Sequence, residues 1–276
     1  MTSQLIETDD RLAAVISHYY CVQLPQNALP VQQQLLPNYE MAAVFNFGPA
    51  IPVSTGDSQE LIQRTAVLGP LEKILHYELP PGADVIVVNF TLNGFYRLMG
   101  KSMHQRQVQK GDCPGALFNQ SAFGDLWPEL SSMTTLPERL QAISTYAVAH
   151  LSPTDEMTRS LMDSIPYFRQ MSVDPIKALA DTHKVSTRSI QTRFQTHLGY
   201  SAKELTRFLR FKKVLQLLIQ PTSDTIDWLA LVQEFGYHDH SHLIKDFRYF
   251  VGLTPRQFVR QIAQGNVCLG KSGKFY

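Results

Sequence analysis

Short apolar and aromatic runs alternate with turn residues between positions 17 and 120. Runs of this kind, bounded by Pro and Gly, are typical of β-strands, and Pro81-Gly82 predicts a turn between the last two. Strands that follow one another without intervening helical patterns favour a sandwich or barrel over a parallel sheet. The four clearest runs are HYYCVQL (18–24), MAAVFNF (41–47), KILHYEL (73–79) and DVIVVNF (84–90).

Helical periodicity replaces this pattern near residue 136. Pro137 stands where a first helical residue is expected, ahead of ERLQAISTYAVAHL, and the chain reads as helical after residue 175. These patterns predict an α+β protein with an N-terminal β-barrel or jelly-roll-like, cupin-like domain and a C-terminal all-α domain. The predicted segments are a β-rich domain at 1–135, a helical connector at 136–171, a helical domain at 172–262 and a flexible basic tail at 263–276.

The helical domain contains an internal repeat with a constant offset of 53 positions. Its two copies are STRSIQTRFQTHLGYSAKEL (186–205) and DHSHLIKDFRYFVGLTPRQF (239–258). Ser186 and Asp239 are good helix N-caps, whereas Gly199 and Gly252 are good helix stops. Each copy is therefore predicted to be a capped helix that ends at glycine and leads into a new helix.

A short apolar helix precedes each copy. Helix, tight turn and second helix together form the helix-turn-helix geometry, which places the second helix in a DNA major groove. The C-terminal domain is therefore predicted to be a double helix-turn-helix. The apolar residues of the preceding helices are Ile176, Leu179 and Ala180 for the first copy and Trp228, Leu231 and Val232 for the second.

Polar residues occupy the side of each predicted recognition helix that faces away from its apolar residues. Arg and Gln can bind guanine and adenine edges, Thr adds a hydroxyl and a methyl, and Ile244 can meet a thymine methyl. A solvated face without a ligand is the alternative, but two copies in a basic segment favour DNA. The predicted DNA-binding residues are Ser186, Thr187, Arg188, Gln191, Thr192 and Gln195 in the first copy and His240, Ser241, Ile244, Lys245 and Arg248 in the second.

The charge of the chain is divided between its two parts. Residues 1–171 carry 10 Lys/Arg and 16 Asp/Glu, a net charge of −6, although the whole chain has a formal net charge of +1. Residues 172–276 carry 15 Lys/Arg and 8 Asp/Glu, a net charge of +7. This asymmetry indicates that the C-terminal part meets a polyanion such as double-stranded DNA.

A predicted helix at 202–219 joins the two copies. Phe208, Phe211, Leu215 and Leu218 form an apolar stripe along it, so it is expected to pack on both units. Its 18 residues give a rod of about 27 Å, against roughly 34 Å for one turn of DNA. A rod of this length suits two recognition helices in successive major grooves on one side of the duplex.

Residues 172–262 resemble the DNA-binding domain of the AraC/XylS family of bacterial regulators. The resemblance is carried by SxRxIQxRFxxxxGYS (186–201), Arg210, GYHDHSHLIKDFRYFVGLTP (236–255) and Phe258. It implies that both units bind successive major grooves, the first reading more bases and the second contacting more backbone. Lys184 departs from the family's usual Gly, and a left-handed Lys costs about 1 kcal/mol more there. Val232 replaces a usual Ala.

The β-rich region resembles, less specifically, the sensor domains attached to this family. The likeness lies in LGPLEKILHYELPPGADVIVVNF (68–90) and GFYRLMG (94–100), and it implies effector binding, dimerisation, or both. A metal-dependent cupin enzyme is the rival interpretation, and it needs several His and a Glu around one metal. His76 stands apart from His18 and His104. No enzyme activity, metal or cofactor is therefore predicted.

Two further sets of residues have competing interpretations. His238, His240 and His242 alternate, but residues two apart do not share a helix face, which favours DNA or structural roles over metal binding. Six aromatic residues of the β-rich region suit either a ligand pocket or the core, and the core is the more frequent role. They are Tyr19, Tyr39, Phe45, Tyr77, Phe90 and Phe95.

The remaining sequence features concern the compartment. Cys21, Cys113 and Cys268 are scattered and odd in number, which favours a reducing cytoplasm. The start MTSQLIETDD has no cationic segment before an apolar core, and no apolar run has the roughly 18 residues of a membrane span. Homodimerisation and RNA polymerase contact stay open, as do the effector, the operator, and activation versus repression.

Overall fold

The computed structural model describes residues 1–56, 58–99, 123–153, 156, 159–160, 175–220 and 226–264. Two compact units are present, one built on Met1–Pro153 and the other on Thr154–Val267. The fold class predicted from the sequence is confirmed, since the first unit is a two-sheet β domain and the second is helical. Most of the predicted basic tail and the end of the predicted connector lie outside the described residues.

The N-terminal unit consists of two antiparallel sheets. The five-stranded sheet has the order β1-β2-β9-β4-β7, and the four-stranded sheet has the order β3-β8-β5-β6. Both orders pair strands that are distant in sequence, as in a jelly roll. The strands are β1 Thr2–Glu7, β2 Ile16–Gln23, β3 Val31–Leu35, β4 Ala42–Asn46, β5 Ile51–Thr55, β6 Ser58–Ile62, β7 Thr65–Leu68, β8 Leu75–Leu79 and β9 Asp84–Phe90.

Strands β2, β4 and β9 are buried on both faces. Residues such as Tyr20, Val44 and Val85 point into the space between the sheets. Their neighbours, including Phe45 and Ile86, point to the opposite face and join a second core. Double burial favours mainly apolar and aromatic runs, and the sequence pattern located these three strands.

Among the described residues, three helices cover the outer face of the five-stranded sheet: α1 (Gly94–Met99), α2 (Trp127–Ser132) and α3 (Leu136–His150). The Trp127 indole donates to the Asn46 carbonyl oxygen at 3.0 Å, and the Tyr19 and Ser144 hydroxyls are 3.0 Å apart. Arg139 forms an ion pair with Asp84 at 2.8 Å. Helix α3 begins the segment predicted as a connector, and it packs on its own β domain.

The C-terminal unit is built from six helices in the described ranges. Their core contains Phe194, Phe211, Phe247 and Phe258, each fully buried. Gly199 and Gly252 are left-handed, with φ of 84° and 74°, and end their helices as the repeat predicted. The helices are α4 Pro175–His183, α5 Thr187–Leu198, α6 Ala202–Ile219, α7 Trp228–Glu234, α8 His240–Val251 and α9 Pro255–Ala263.

Lys184 adopts the left-handed conformation that the family resemblance implied, with φ of 52°. Since this conformation is unfavourable for a residue with a Cβ, Lys184→Gly is expected to stabilise the C-terminal unit by up to about 1 kcal/mol. Denaturant unfolding of the full chain measures the change. Lys203→Gly, at an exposed position in α6, is the control and should have the opposite sign. A destabilised Lys184→Gly protein would contradict the prediction.

Candidate nucleic-acid interface

Two helix-turn-helix units occupy the C-terminal domain, α4 with α5 and α7 with α8. In the first turn the Val185 N–H donates to the Ala180 carbonyl oxygen at 3.0 Å, and in the second the Tyr237 N–H donates to Val232 at 2.9 Å. These pairs are 52 positions apart, whereas the N-caps of α5 and α8 are 53 apart. The second turn therefore contains one additional residue, His238. Val232 is accommodated in a buried position there.

The first recognition helix, α5, separates an apolar from a polar side. Ile190, Phe194 and Leu198 are buried against the domain. The predicted base-reading residues lie on the other side, where Thr187, Arg188, Gln191 and Thr192 are exposed and Gln195 is half-buried. The structure therefore places the predicted set on one solvent-facing surface of a single helix.

Two hydroxyls of this set already have helical partners. The Ser186 hydroxyl oxygen accepts from the Ser189 N–H at 3.1 Å and caps α5. The Thr192 hydroxyl donates to the Arg188 carbonyl oxygen at 3.0 Å. The Ser186 hydroxyl proton is still available to a phosphate oxygen, while Thr192 presents its methyl group and an acceptor oxygen. Arg188 and Gln191 thus have the strongest base-reading potential on α5.

The second recognition helix, α8, has the same division. Leu243, Phe247 and Phe250 are buried, and the predicted residues Ser241, Lys245 and Arg248 are exposed while Ile244 is half-buried. His240 is also half-buried and lies edge-on to the Trp228 ring, with centroids 6.2 Å apart. The cationic residues of this surface suit phosphate contacts more than base reading.

Helix α6 connects the two units and contacts both recognition helices. The predicted apolar stripe is buried, and Phe211 packs on Phe247 and Phe250 with ring centroids 5.1 Å and 4.5 Å apart. Capping boxes at Ser201 and Thr254 begin α6 and α9. These contacts hold the two recognition helices on one common helix.

Sequence reasoning missed Asp246, on the buried side of α8. Its side chain is 3% exposed, and its carboxylate pairs with Arg207 at 2.7 Å and Arg210 at 3.3 Å, both from α6. Burial, followed by the Asp246 charge, raises the pKa of the neighbouring Tyr237 above its ordinary value. The sequence did contain a signal, because Asp246 falls among the apolar positions of α8 that are expected to be buried. A carboxylate at such a position requires a cationic partner.

Asp239 caps α8 by accepting the His242 N–H at 2.8 Å, and this bond, followed by the His238 ring, lowers the pKa of Asp239. A carboxylate with a lowered folded pKa stabilises the fold above its unfolded pKa of about 4 and loses that contribution as pH falls through the folded value. Asp239→Asn still caps the helix. We expect a shallower decline of its thermal midpoint between about pH 5 and 3 than in the wild type.

Asp181→Asn, at an exposed carboxylate of α4, is the matched control for this pH experiment. It should retain the wild-type decline. Equal slopes for Asp239→Asn and the wild type would show that the cap makes no contribution to acid sensitivity.

Two of the three histidines weighed as metal ligands, His18 and His76, lie in the described residues, and His104 lies outside them. Within them no group of three His, Cys, Asp or Glu side chains is placed to hold a metal ion. His76 is exposed on β8. His18 is buried, and its Nδ1 lies 2.8 Å from the Ser17 hydroxyl oxygen. No helix of the described ranges has the length and apolar content to cross a membrane.

The aromatic residues of the β domain serve its core. Five of the six named from the sequence are at most 5% exposed, the exception being the half-buried Tyr77. Tyr77 donates its hydroxyl to the Gln33 side chain across the β3–β8 pair. A small apolar pocket lies between β-strands and helices, lined by Phe45, Phe90, Phe123 and Tyr146 among others.

Together, the paired turns, capped helices and exposed polar faces define a double helix-turn-helix DNA-binding domain. The family model described as a helix-turn-helix domain matches residues 179–261. This domain is of the AraC type, which confirms the resemblance to AraC/XylS regulators. The chain is therefore a DNA-binding transcription regulator. A second model, described as a domain of unknown function, matches residues 4–110.

No curated protein matches the chain. Among solved structures, ToxT from Vibrio cholerae is similar over 88% of this chain and 97% of its own, with 8% identity and a TM-score of 0.40. ToxT from Vibrio cholerae O395 bound to (E)-4-(8-methylnaphthalen-1-yl)but-3-enoic acid is similar over 95% of this chain and 100% of its own. The identity is 10% and the TM-score is 0.42. The AraC-like transcriptional activator CuxR is similar over 78% of this chain and 85% of its own, with 11% identity and a TM-score of 0.26.

Proposed function

We propose that this regulator binds a two-part DNA site sequence-specifically, with α5 reading bases and α8 holding the backbone. The observation that carries the proposal is the pair of exposed polar helix faces, one on each unit, with a shared connecting helix buried against both. Arg and Gln on the first face suit base edges, whereas Lys245 and Arg248 on the second suit phosphates.

The N-terminal unit modulates this binding, either through a small effector or through dimerisation. Support comes from its separate compact core and from its net negative charge, which makes it unsuited to DNA itself. An effector acts by favouring the conformation in which both recognition helices are available to DNA. The protein works by equilibrium binding in the cytoplasm and performs no catalysis, and RNA polymerase is a further candidate partner.

Selection of genomic duplexes by the full-length protein, at low and moderate salt, tests the proposal. We expect a two-part motif with its halves about one helical turn apart. Affinity should fall steeply with salt, by a slope of about 0.9 for each phosphate contacted. Absence of any enriched sequence at both salt concentrations, for the full-length protein and also for residues 172–276 alone, would overturn the proposal.

A double variant, Arg188→Ala with Arg248→Ala, is expected to lose the enriched motif and to have a smaller salt slope. Lys73→Ala, at an exposed cation of the β domain, removes charge away from the recognition helices and should leave both properties unchanged. Equal losses in the two proteins would place the DNA-binding surface elsewhere.

A further inference from the structure

Asp246 of α8 forms ion pairs with Arg207 and Arg210 of α6, and these two ion pairs are called the bracket. Both carboxylate oxygens are used, Oδ1 by the Arg207 Nε and Oδ2 by an Arg210 terminal nitrogen. Because the carboxylate is almost fully buried, it is tolerated only while these cations remain beside it. The bracket therefore constrains the two helices to one relative position.

The same two arginines also contact the turn before α8 and an aromatic residue within α8. Arg210 donates to the Gly236 carbonyl oxygen in the turn at 3.4 Å and lies 4.2 Å above the Tyr237 ring. Arg207 lies 4.3 Å from the Tyr249 ring centroid. The linker helix is thus tied by directional contacts to the turn and to the recognition helix of the second unit.

The first unit has no need of such a bracket. Helix α5 ends at Leu198 and α6 begins at Ala202, so a short capped turn joins them covalently. The position of α5 that corresponds to Asp246 holds Arg193. In contrast, 20 residues separate the end of α6 at Ile219 from the start of α8 at His240. The orientation of α8 on α6 therefore depends on side-chain contacts.

Apolar packing alone leaves that orientation less defined. The Phe211 contacts with Phe247 and Phe250 favour burial, but the hydrophobic effect that drives this burial is not directional. A carboxylate held by two guanidinium groups is directional, because each N–H must point at an oxygen. The bracket thus adds a directional constraint on rotation and sliding to the packing of the aromatic core.

We propose that Asp246 is a positioning residue that sets the spacing between the two half-sites accepted by the protein. This inference rests on the proposed two-part DNA binding. Through Arg207 and Arg210 it holds α8 at one rotation on α6, so only one placement of the second half-site meets the exposed face of α8. Loss of the bracket lets α8 turn or slide and makes several spacings acceptable.

The test measures the affinity of the full-length protein for duplexes containing both half-sites at the selected spacing and at one base pair more or fewer. One base pair moves the second half-site by about 3.4 Å and by roughly a tenth of a helical turn. The wild type is expected to lose about 10-fold or more in affinity on either change. Asp246→Asn is expected to bind all three duplexes within about 3-fold of one another.

The ratio of the affinities for the selected spacing and for the altered spacings distinguishes a positioning role of Asp246 from an effect on stability or on charge. Partial unfolding lowers the active concentration for every duplex alike, and removing a negative charge strengthens binding to every duplex alike. Neither effect changes the ratio. Asp227→Asn, the same substitution at an exposed helix cap of this unit, is the matched control and should keep the wild-type ratio.

Arg207→Gln is the second variant, which leaves the Arg210 contact with Asp246 in place and decides the outcome if Asp246→Asn does not fold. It should also reduce the spacing ratio, to an intermediate value. Wild-type ratios in the folded variants would overturn the inference alone. A wild-type protein without any preference for the two-part site would overturn the proposed function and this inference with it.

Discussion

Arg188→Ala is expected to weaken DNA binding at particular bases, by about 1–3 kcal/mol or roughly 5- to 150-fold. Arg188 is exposed near the start of α5, on the same face as Gln191. A guanidinium that donates two hydrogen bonds to one guanine discriminates against every other base pair. Titrations against the selected duplex and single-base variants measure the effect, and the preference at one position should disappear.

Arg248→Ala is the matched comparison, because it removes the same side chain from the equivalent face of α8. We expect a similar loss for specific and random duplexes and a salt slope smaller by about one phosphate. Uniform loss for Arg188→Ala together with base-selective loss for Arg248→Ala would reverse the assigned roles of the two helices.

The second large effect is structural: Phe247→Ala is expected to destabilise the C-terminal unit by about 3–5 kcal/mol. Phe247 is fully buried, and its ring lies 5.1 Å from Phe211 and 5.8 Å from Phe258. Truncation leaves a cavity where α6, α8 and α9 meet. Because a domain has only about 5–15 kcal/mol of stability, binding of the second half-site should fail first on warming.

Tyr249→Ala provides the control for this substitution. It removes a ring of similar size from the same helix, but at a position that is 41% exposed. The loss of stability should be below about 1 kcal/mol. Urea unfolding compares the two variants, and equal midpoints would show that Phe247 does not support the contact between the helices.

Some strands of the β domain could be predicted from the local sequence pattern and others could not. Strands β2, β4 and β9 were located from sequence because both faces are buried and most of their residues are apolar or aromatic. Strand β5 was missed because Pro52 reads as a strand breaker, although Ile51 and Val53 are buried beside it. Strands β1 and β3 are mainly exposed or half-buried. Their existence depends on pairing with partners distant in sequence, which no local window contains.

The sequence by itself determined the double helix-turn-helix and the faces of its recognition helices. Caps, glycine stops and the spacing of apolar residues act over a few positions, so a repeat of these signals defines each helix and its buried side. The left-handed conformation at Lys184 was implied instead by the resemblance to a family that usually has Gly at this position.

The tertiary structure alone decided the relations between elements. It placed α3 on the sheet of its own domain, which the helical pattern alone did not determine. It also brought Asp246 to Arg207 and Arg210, which lie 39 and 36 positions away in the chain. Both outcomes depend on which surfaces meet after folding, because burial and charge pairing are properties of contacts between distant segments.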